Sequence, residues 1–588
     1  MRAVVHSRIM AKEQEVASAE RLAAEGGIAS DESAVKKLEI EANKGPAEKH
    51  ENELNESAAA ESDDGKAGCP FRMGYYGVSG LYNPRCRRNL HAATDGVDEM
   101  PVCLMHSRDP NKQSGPLFDA FWLEFERILK GAGEGEAHFE RFVFPQLNSR
   151  GKIFQAICWF DGATFTQDAD FGEATFTQDV HFLGATFTKD ADFWRTTFMR
   201  KADFGSATFK RDANFSYATF TRDADFGNAI FTMNTKYDDA TFMQDASFVH
   251  ATFMQYADFH ITTFKQNAVF NYATFTLSAG FSGATFTKAI RYLGTAFRGT
   301  AYWRGCQFLD QADFLNTQFN PSVEGEPSAV FALAKFSKPD EIVFDQIDLS
   351  RVFFHKCDVS QVWFTSSVRW GTRGKNRGLT VFEETIPLKQ ELAWQLQRNG
   401  LRDYRAVEQI YHQLKKNYDS RLDYWTANEF HFGEMEMKRQ AGPADGWFLS
   451  LRRWLYRKLS LVALYRWASD YGNNYVKPMA WLLGTLLAAA LLFPITGLEL
   501  KQATSASSAR VTYGSVWDRE NGWTNNFWTE AKLIGKSGIT AIDTATFQRT
   551  PEYTPVYPRG RVVAIFETLL TSSLFALFLL AIRRQFRR

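Results

Sequence analysis

Cysteine is scarce: six in 588 residues, too few for a disulfide-stapled scaffold. No charged, apolar and small-residue run of the signal-peptide kind opens the chain, so its bulk reads as reduced and cytoplasmic. Net charge is lacking too. The 68 basic and 68 acidic side chains cancel, which removes the broad basic field that a nucleic-acid binder needs. Long apolar runs are missing until residue 478. Aromatics are almost missing from residues 1–66, an Ala-, Glu-, Lys- and Ser-rich stretch that cannot bury enough surface to order itself and is expected to form a disordered or partly helical tail. Met10 is a candidate start within it, since residues 1–9 match nothing that follows.

Enzyme signatures are also wanting. Gly535-Lys536-Ser537 mimics the end of a phosphate loop, but Glu530 stands where its first glycine belongs. The glycines of residues 131–136 follow no strand and read as a linker. His431 and Glu434 have helical i, i+3 spacing without a second pair, so they read as a solvated face rather than a metal site. No nucleophile and base stand out together, and the chain is expected not to be an enzyme.

Phenylalanine is in excess, 52 residues, and its placement is periodic. From Phe154 to Phe319 an aromatic recurs at alternating steps of five and six residues, a true period of eleven. All 29 such positions from Phe165 onward are aromatic, with Tyr237, Tyr292 and Trp303 in place of Phe, and a small residue stands two positions before each, Ala in 21 cases. So regular a period outranks local helix or strand signals, because each unit buries its face only against its neighbours. Small and aromatic side chains at i−2 and i share one side of a short extended segment, and the residue between them faces outward. Four such faces with their corners make 22 residues, enough for a coil that closes and stacks on the next at about 4.8 Å, Phe upon Phe. Residues 154–319 would wind about seven and a half coils, a rod of roughly 36 Å, with caps expected at 110–150 and after 366. After an irregular stretch at 321–342, strict five-residue spacing at Phe344, Leu349, Phe354, Val359 and Phe364 predicts one further coil.

Units such as ADFGE, ATFTQ, ADFGS, ATFKR and ANFSY resemble those of the pentapeptide-repeat family, whose pattern is A-(D/N)-(L/F)-x-x. The resemblance implies a mainly β fold, a right-handed quadrilateral β-helix over residues 151–366. The extra residue in alternate units departs from the family pattern and predicts a wider corner after each A-T-F face, with a two-fold rather than square cross-section.

Beyond residue 385 the pattern turns helical. Tyr404, Val407, Tyr411, Leu414 and Tyr418 form one stripe, and a second stretch runs from Leu422 to Arg439, which together predict a helical hairpin over 386–440. Its wording is similar to the tetratricopeptide-like pair that precedes membrane segments in some bacterial pentapeptide-repeat proteins. The last region, 447–588, holds two segments long enough to cross a bilayer, 478–498 and 562–582. Arg452, Arg453, Arg457, Lys458, Arg466 and Lys477 precede the first, and Arg583, Arg584, Arg587 and Arg588 follow the second, so both flanks are expected inside and the loop 499–561 outside. The expected location is a bacterial inner membrane, crossed twice, with both termini cytoplasmic. Residues 447–467, with Trp454, Tyr456 and Tyr465 among the basic residues, suit a helix at headgroup level. Glu567 is the one acid inside a span and is expected to snorkel to the interface.

Cys158, Cys306 and Cys357 occupy the small inward position of a repeat and read as packing. Cys69, Cys86 and Cys103 lie in a segment, 67–150, that precedes the repeats, with His106 three residues beyond Cys103. Three thiolates and an imidazole make a tetrahedral Zn²⁺ set, but only Cys103-x-x-His106 has knuckle spacing. A structural zinc site and unrelated free thiols both stay open, with His91 as a replacement ligand.

Three functions are compatible with this layout. The first is a non-enzymatic, membrane-anchored scaffold whose solenoid surface binds a protein partner. The second is an oligomeric two-helix channel with the repeat as its cytoplasmic domain, in which Asn525 to Phe547 would dip back as a half-helix; several copies would be required to enclose water. The third follows from the resemblance, since some family members imitate DNA and bind topoisomerases. It is the weakest, because residues 160–320 carry 17 acidic and 13 basic side chains, a net of −4, and nucleic acid itself is not an expected partner.

Overall fold

The computed structural model describes residues 101–320, 325–374, 378–386, 397–398, 401–441, 449–496, 498–500, 510–511, 527–546, 553–555 and 558–586, and in the N-terminal part residues 69, 70, 86, 88–91, 98 and 100. The tail expected at 1–66 lies outside them. The chain divides into two compact units, residues 1–72 with 83–103, and residues 73–82 with 104–588.

The second unit begins with a cap. Asp109 accepts the Asn111 N–H at the start of the 3-10 turn Pro110–Gln113, and helix α1, Pro116–Ala132, follows. Pro116 suits the first helical position, and Gly133, at φ 57, closes the helix by donating to the Leu129 carbonyl. Phe121 and Phe125 project from α1 onto Phe144 and Phe139, ring centroids 5.4 and 4.7 Å apart, and cover the open end of the coil below. Lys112 is buried in this cap. Its ammonium donates to the carbonyls of Ser107 and Val143, at 2.8 and 2.7 Å, and sits over the Phe121 ring, which offsets the cost of burying a charge.

From Glu136 to Phe364 short strands, most of two residues, assemble into four parallel sheets of 11, 9, 10 and 9 strands. Each strand pairs with its neighbours one coil away, at an offset of 22 residues through the regular coils, so that Phe187 stands between Phe165 and Phe209; the offset is 21 in the first coil, as Val143 with Thr164, and reaches 30 near the end, as Ala312 with Ile342. Eleven strands in the longest sheet correspond to about ten turns and roughly 48 Å of axis. The winding starts ahead of the strict aromatic period, because Ala137, Phe139, Phe144 and Leu147 already fill a coil.

The five- and six-residue steps are two kinds of corner. In A-D-F units the Asp accepts the N–H two residues on, as Asp170 does from Gly172 and Asp225 from Gly227, both at 2.8 Å. The residue after that takes a left-handed conformation, with φ 58 at Glu173 and 59 at Tyr217, and the next N–H closes onto the ring residue's carbonyl, Ala174 to Phe171 at 3.0 Å. In A-T-F units the corner is wider and the Thr after the Phe reaches back one coil: the hydroxyls of Thr188 and Thr232 donate to the carbonyls of Phe165 and Phe209 at 2.9 and 3.0 Å.

Rings fill the interior. Phe187 lies on Phe165 at 4.6 Å and 2°, and Phe215 on Phe193 at 4.8 Å and 0°, the separation being that of the strands that carry them. Neighbouring columns meet edge to face, as Phe193 and Phe204 do at 5.3 Å and 85°, which is the favourable arrangement of two quadrupoles. Where Thr or Cys takes the small inward place, its donor can find a carbonyl, as Thr196 does on Phe171 and Cys306 on Phe281, both at 2.7 Å, whereas the buried hydroxyl of Thr235 has no hydrogen-bond partner. Cys158 and Cys357 are likewise buried in packing positions.

The other end of the coil is closed by helix α2, Phe382–Thr385, and the hairpin of α3, Tyr404–Ser420, and α4, Tyr424–Ala441. Asn417 of α3 donates to the carbonyls of Val359 and Val362 at 2.7 and 2.8 Å and so satisfies part of the last turn. Helices α5, Leu449–Leu459, and α6, Leu461–Ser469, lead into α7, Val476–Thr496. Then come α8, Phe527–Ala545, and α9, Pro558–Gln585, both packed on α7. Helices α7 and α9 are long and apolar enough to cross a membrane.

Candidate functional site

In the first unit Cys69, Cys86 and Cys103 are buried together, their sulfurs within 4.8 Å of one another. Backbone bonds hold the segments that carry them, Cys69 N–H to the Arg88 carbonyl at 3.1 Å and His91 N–H to the Val102 carbonyl at 2.7 Å. The Cys86 and Cys103 sulfurs are 3.8 Å apart. That is far beyond a disulfide bond of about 2.05 Å, and it matches the edge of a tetrahedron whose metal–sulfur bonds are about 2.3 Å. Hydrogen bonding with Cys69 and Cys86, together with burial, pushes the Cys103 thiol far up. The cluster could hold a metal.

His106, in the second unit, is buried edge-on to Phe142. Its Nε2 lies 3.2 Å from the Glu140 carbonyl oxygen, a pure acceptor, which assigns the proton to Nε2 and the lone pair to Nδ1.

The His431–Glu434 pair is not the solvated face its spacing suggested. Glu434 is half-buried between α3 and α4 and gathers His412 Nδ1 at 2.9 Å, His431 Nδ1 at 3.3 Å and Lys415 at 3.4 Å. Burial alone would raise its carboxyl, but the hydrogen bonds with His431 and His412 and the charge of Lys415 win and hold it at about 2. Glu436, two residues on, is held at about 2 against burial by Arg439 and Arg466. Both are structural ion pairs at the junction of the hairpin with α6. Gly535-Lys536-Ser537 lies inside α8 and forms no loop, and Gly131 to Glu136 is the end of α1 running into the first strand.

Between α7 and α9, Glu567 lines a mostly apolar cavity of about 510 Å³ with Thr485 and Ser573. It does not snorkel. Its carboxylate is turned among the helices, buried, with neither oxygen hydrogen-bonded. Helix α8 has an inverted character: Ser537, Thr540 and Asp543 are buried, whereas Ile539 and Ile542 are exposed. A second and larger cavity, about 560 Å³, opens where α4, α5, α6 and the start of α7 converge, and basic side chains dominate its wall. Sequence spacing could not show it, because its cations come from four separate helices.

Four parallel sheets wound in register, carboxylate-capped corners and an interior of stacked rings define a β-solenoid. The family model for pentapeptide repeats, in nine copies, matches residues 153–197, 193–236 and 281–324, and the coil is a pentapeptide-repeat solenoid. No curated protein and no solved structure matches the chain.

Proposed function

We propose that the protein is a membrane-anchored, non-enzymatic scaffold whose solenoid docks a cytoplasmic protein partner, with α7 and α9 crossing a bacterial inner membrane and both termini inside. The tight corners carry this reading. Along them Tyr217, Ile261 and Tyr272 stand half-exposed on a rigid backbone. The Arg195 guanidinium lies over the rings of Trp194 and Tyr217, at 4.5 and 5.7 Å, and His250 stacks on Tyr272 at 5.1 Å. Tyr, Trp and Arg supply most hot-spot energy at interfaces, and groups already held in place lose little entropy on binding. The test is co-purification from detergent-solubilised membranes with cross-linking. A partner retained by the full chain and lost from a Tyr217→Ala, Tyr272→Ala double variant supports the scaffold; a complex whose mass is that of this chain alone overturns it.

A second reading, a homo-oligomeric pore, is favoured by α8, whose buried polar side and exposed isoleucines suit a half-helix dipping into lipid beside two spans. Single-channel recording on purified protein decides it: no conductance at any voltage or tension removes the pore.

In the N-terminal segment we propose a structural Zn²⁺ on Cys69, Cys86 and Cys103, with His106, three residues along the chain from Cys103, as fourth ligand through Nδ1. The proton on Nε2, donated to a carbonyl, is the usual outer partner of a metal-bound imidazole. Such a site would order a segment that has little core of its own. One zinc per chain by elemental analysis, lost in Cys103→Ser, is the expected result.

A further inference from the structure

The basic cavity beside α7 is a site that neither the solenoid nor the spans require. Five cations face it: Arg439 from α4, Arg457 and Lys458 from α5, Arg466 from α6 and Lys477 from α7. The acids on the same wall are Glu429 and Asp470. Asp470 is engaged by Lys477 at 2.6 Å, and Glu436 behind the wall holds Arg439 at 2.5 Å and Arg466 at 3.6 Å. Arg457 is steered by the Gln440 carbonyl at 3.2 Å, and Lys458 makes no ion pair among the described residues. The wall therefore keeps an excess of positive charge, and cations brought this close repel one another unless an anion joins them.

The cavity lies at the ends of the two spans. The Trp467 ring, on its wall, packs on Trp481 of α7 with centroids 3.9 Å apart. Arg584 near the end of α9 donates to the Tyr471 carbonyl at 2.8 Å, so the basic ends of both spans meet here. Leu459 and Leu461 are among the most exposed apolar side chains of α5 and α6, at 66% and 85%, and in a bilayer they would enter the interface.

We propose that this cavity binds a phosphate ester, supplied by the headgroup of an anionic phospholipid of the cytoplasmic leaflet. The guanidinium and ammonium groups take the phosphate oxygens. The volume is in the range of small-molecule sites. The lipid source rests on the membrane-anchored reading above; the phosphate chemistry does not.

The experiment uses the full-length protein, purified in detergent and stripped of lipid. Native mass spectrometry follows binding of short-chain phosphatidylglycerol, short-chain phosphatidylcholine and soluble glycerol 3-phosphate. The expected result is at least tenfold preference for phosphatidylglycerol over phosphatidylcholine, with glycerol 3-phosphate competing only at much higher concentration. Lys458→Glu, on a side chain with no ion-pair partner among the described residues, and Arg457→Gln should each cut that binding by about tenfold, whereas Lys210→Glu on the solenoid should leave it unchanged. Equal binding of both lipids, or indifference to Lys458→Glu, overturns the proposal. Glycerol 3-phosphate binding as tightly as the lipid overturns the lipid source. Release of the chain from membranes by alkaline carbonate would refute the anchor, and it would leave the detergent measurement standing as a separate result.

Discussion

The indole N–H of Trp370 donates to the hydroxyl of Tyr418 at 3.0 Å, joining the end of the last coil to helix α3. Around this bond Phe364, Trp370, Tyr418 and Phe430 pack together, so the aromatic interior runs from the solenoid into the helical hairpin. Tyr418→Phe keeps the packing and removes the acceptor. It should cost about 1–3 kcal/mol, the penalty of a buried donor left without a partner. Urea unfolding of the detergent-solubilised protein, followed by tryptophan fluorescence, measures it, and an unchanged midpoint would show that the bond contributes nothing.

Tyr237 replaces Phe within a column, stacked on Phe215 and Phe259, and its buried hydroxyl has no hydrogen-bond partner. Tyr237→Phe should therefore stabilise the solenoid by about 1 kcal/mol or more. Phe226→Ala, in the neighbouring column edge to face with Tyr237, removes a fully buried ring and should cost about 3–5 kcal/mol. The two variants, opposite in sign at touching rings, are read in the same unfolding assay.

Ile261 holds a tight corner at φ 56, a conformation that β-branched side chains resist, where the equivalent position one coil later is Gly283. Ile261→Gly should gain stability of about 1 kcal/mol by relieving that strain. A loss instead would mean that the side chain's contacts outweigh its backbone.

Glu383 of α2 is fully buried; one carboxylate oxygen accepts the Phe354 N–H and the other has no hydrogen-bond partner. Burial raises its carboxyl to about 7. Because the folded form holds the proton more tightly than the unfolded chain, whose value is near 4.5, this group's contribution is fully present below pH 4.5 and is lost as pH rises toward 7. The loss is on the order of 3 kcal/mol. Thermal unfolding of wild type and Glu383→Gln between pH 4.5 and 8 should show that slope in the first and a much flatter response in the second.

The coil was legible because one rule, a small residue two before a ring, repeats at alternating steps of five and six, and Phe165 through Phe319 obey it without a gap. The earlier coil was hidden, since Pro145 interrupts the pattern between Phe144 and Leu147 and Val143 holds the place of an outward Thr. The caps were legible as segments closing the two ends of the coil, but nothing in the spacing of Phe121 and Phe125 says which rings they meet. His431 and Glu434 were misjudged for a similar reason, because i, i+3 spacing places two groups on one face and leaves open whether α3 lies over that face. The basic cavity needed tertiary structure entirely. Arg439, Arg457, Arg466 and Lys477 are cations on four helices, and only folding brings them to one wall.

The 22-residue register has a consequence for how this molecule can lengthen. Adding or removing a whole turn would shift everything downstream along the axis by about 4.8 Å and leave its bearing nearly unchanged. A gain of eleven residues would instead rotate the hairpin and both apolar helices by half a revolution and carry the tyrosine-bearing corner to the far side. Length is therefore adjustable only in whole coils of four units, and the side on which the Tyr217 and Tyr272 corners stand relative to the two apolar helices is set by the number of half-coils between them.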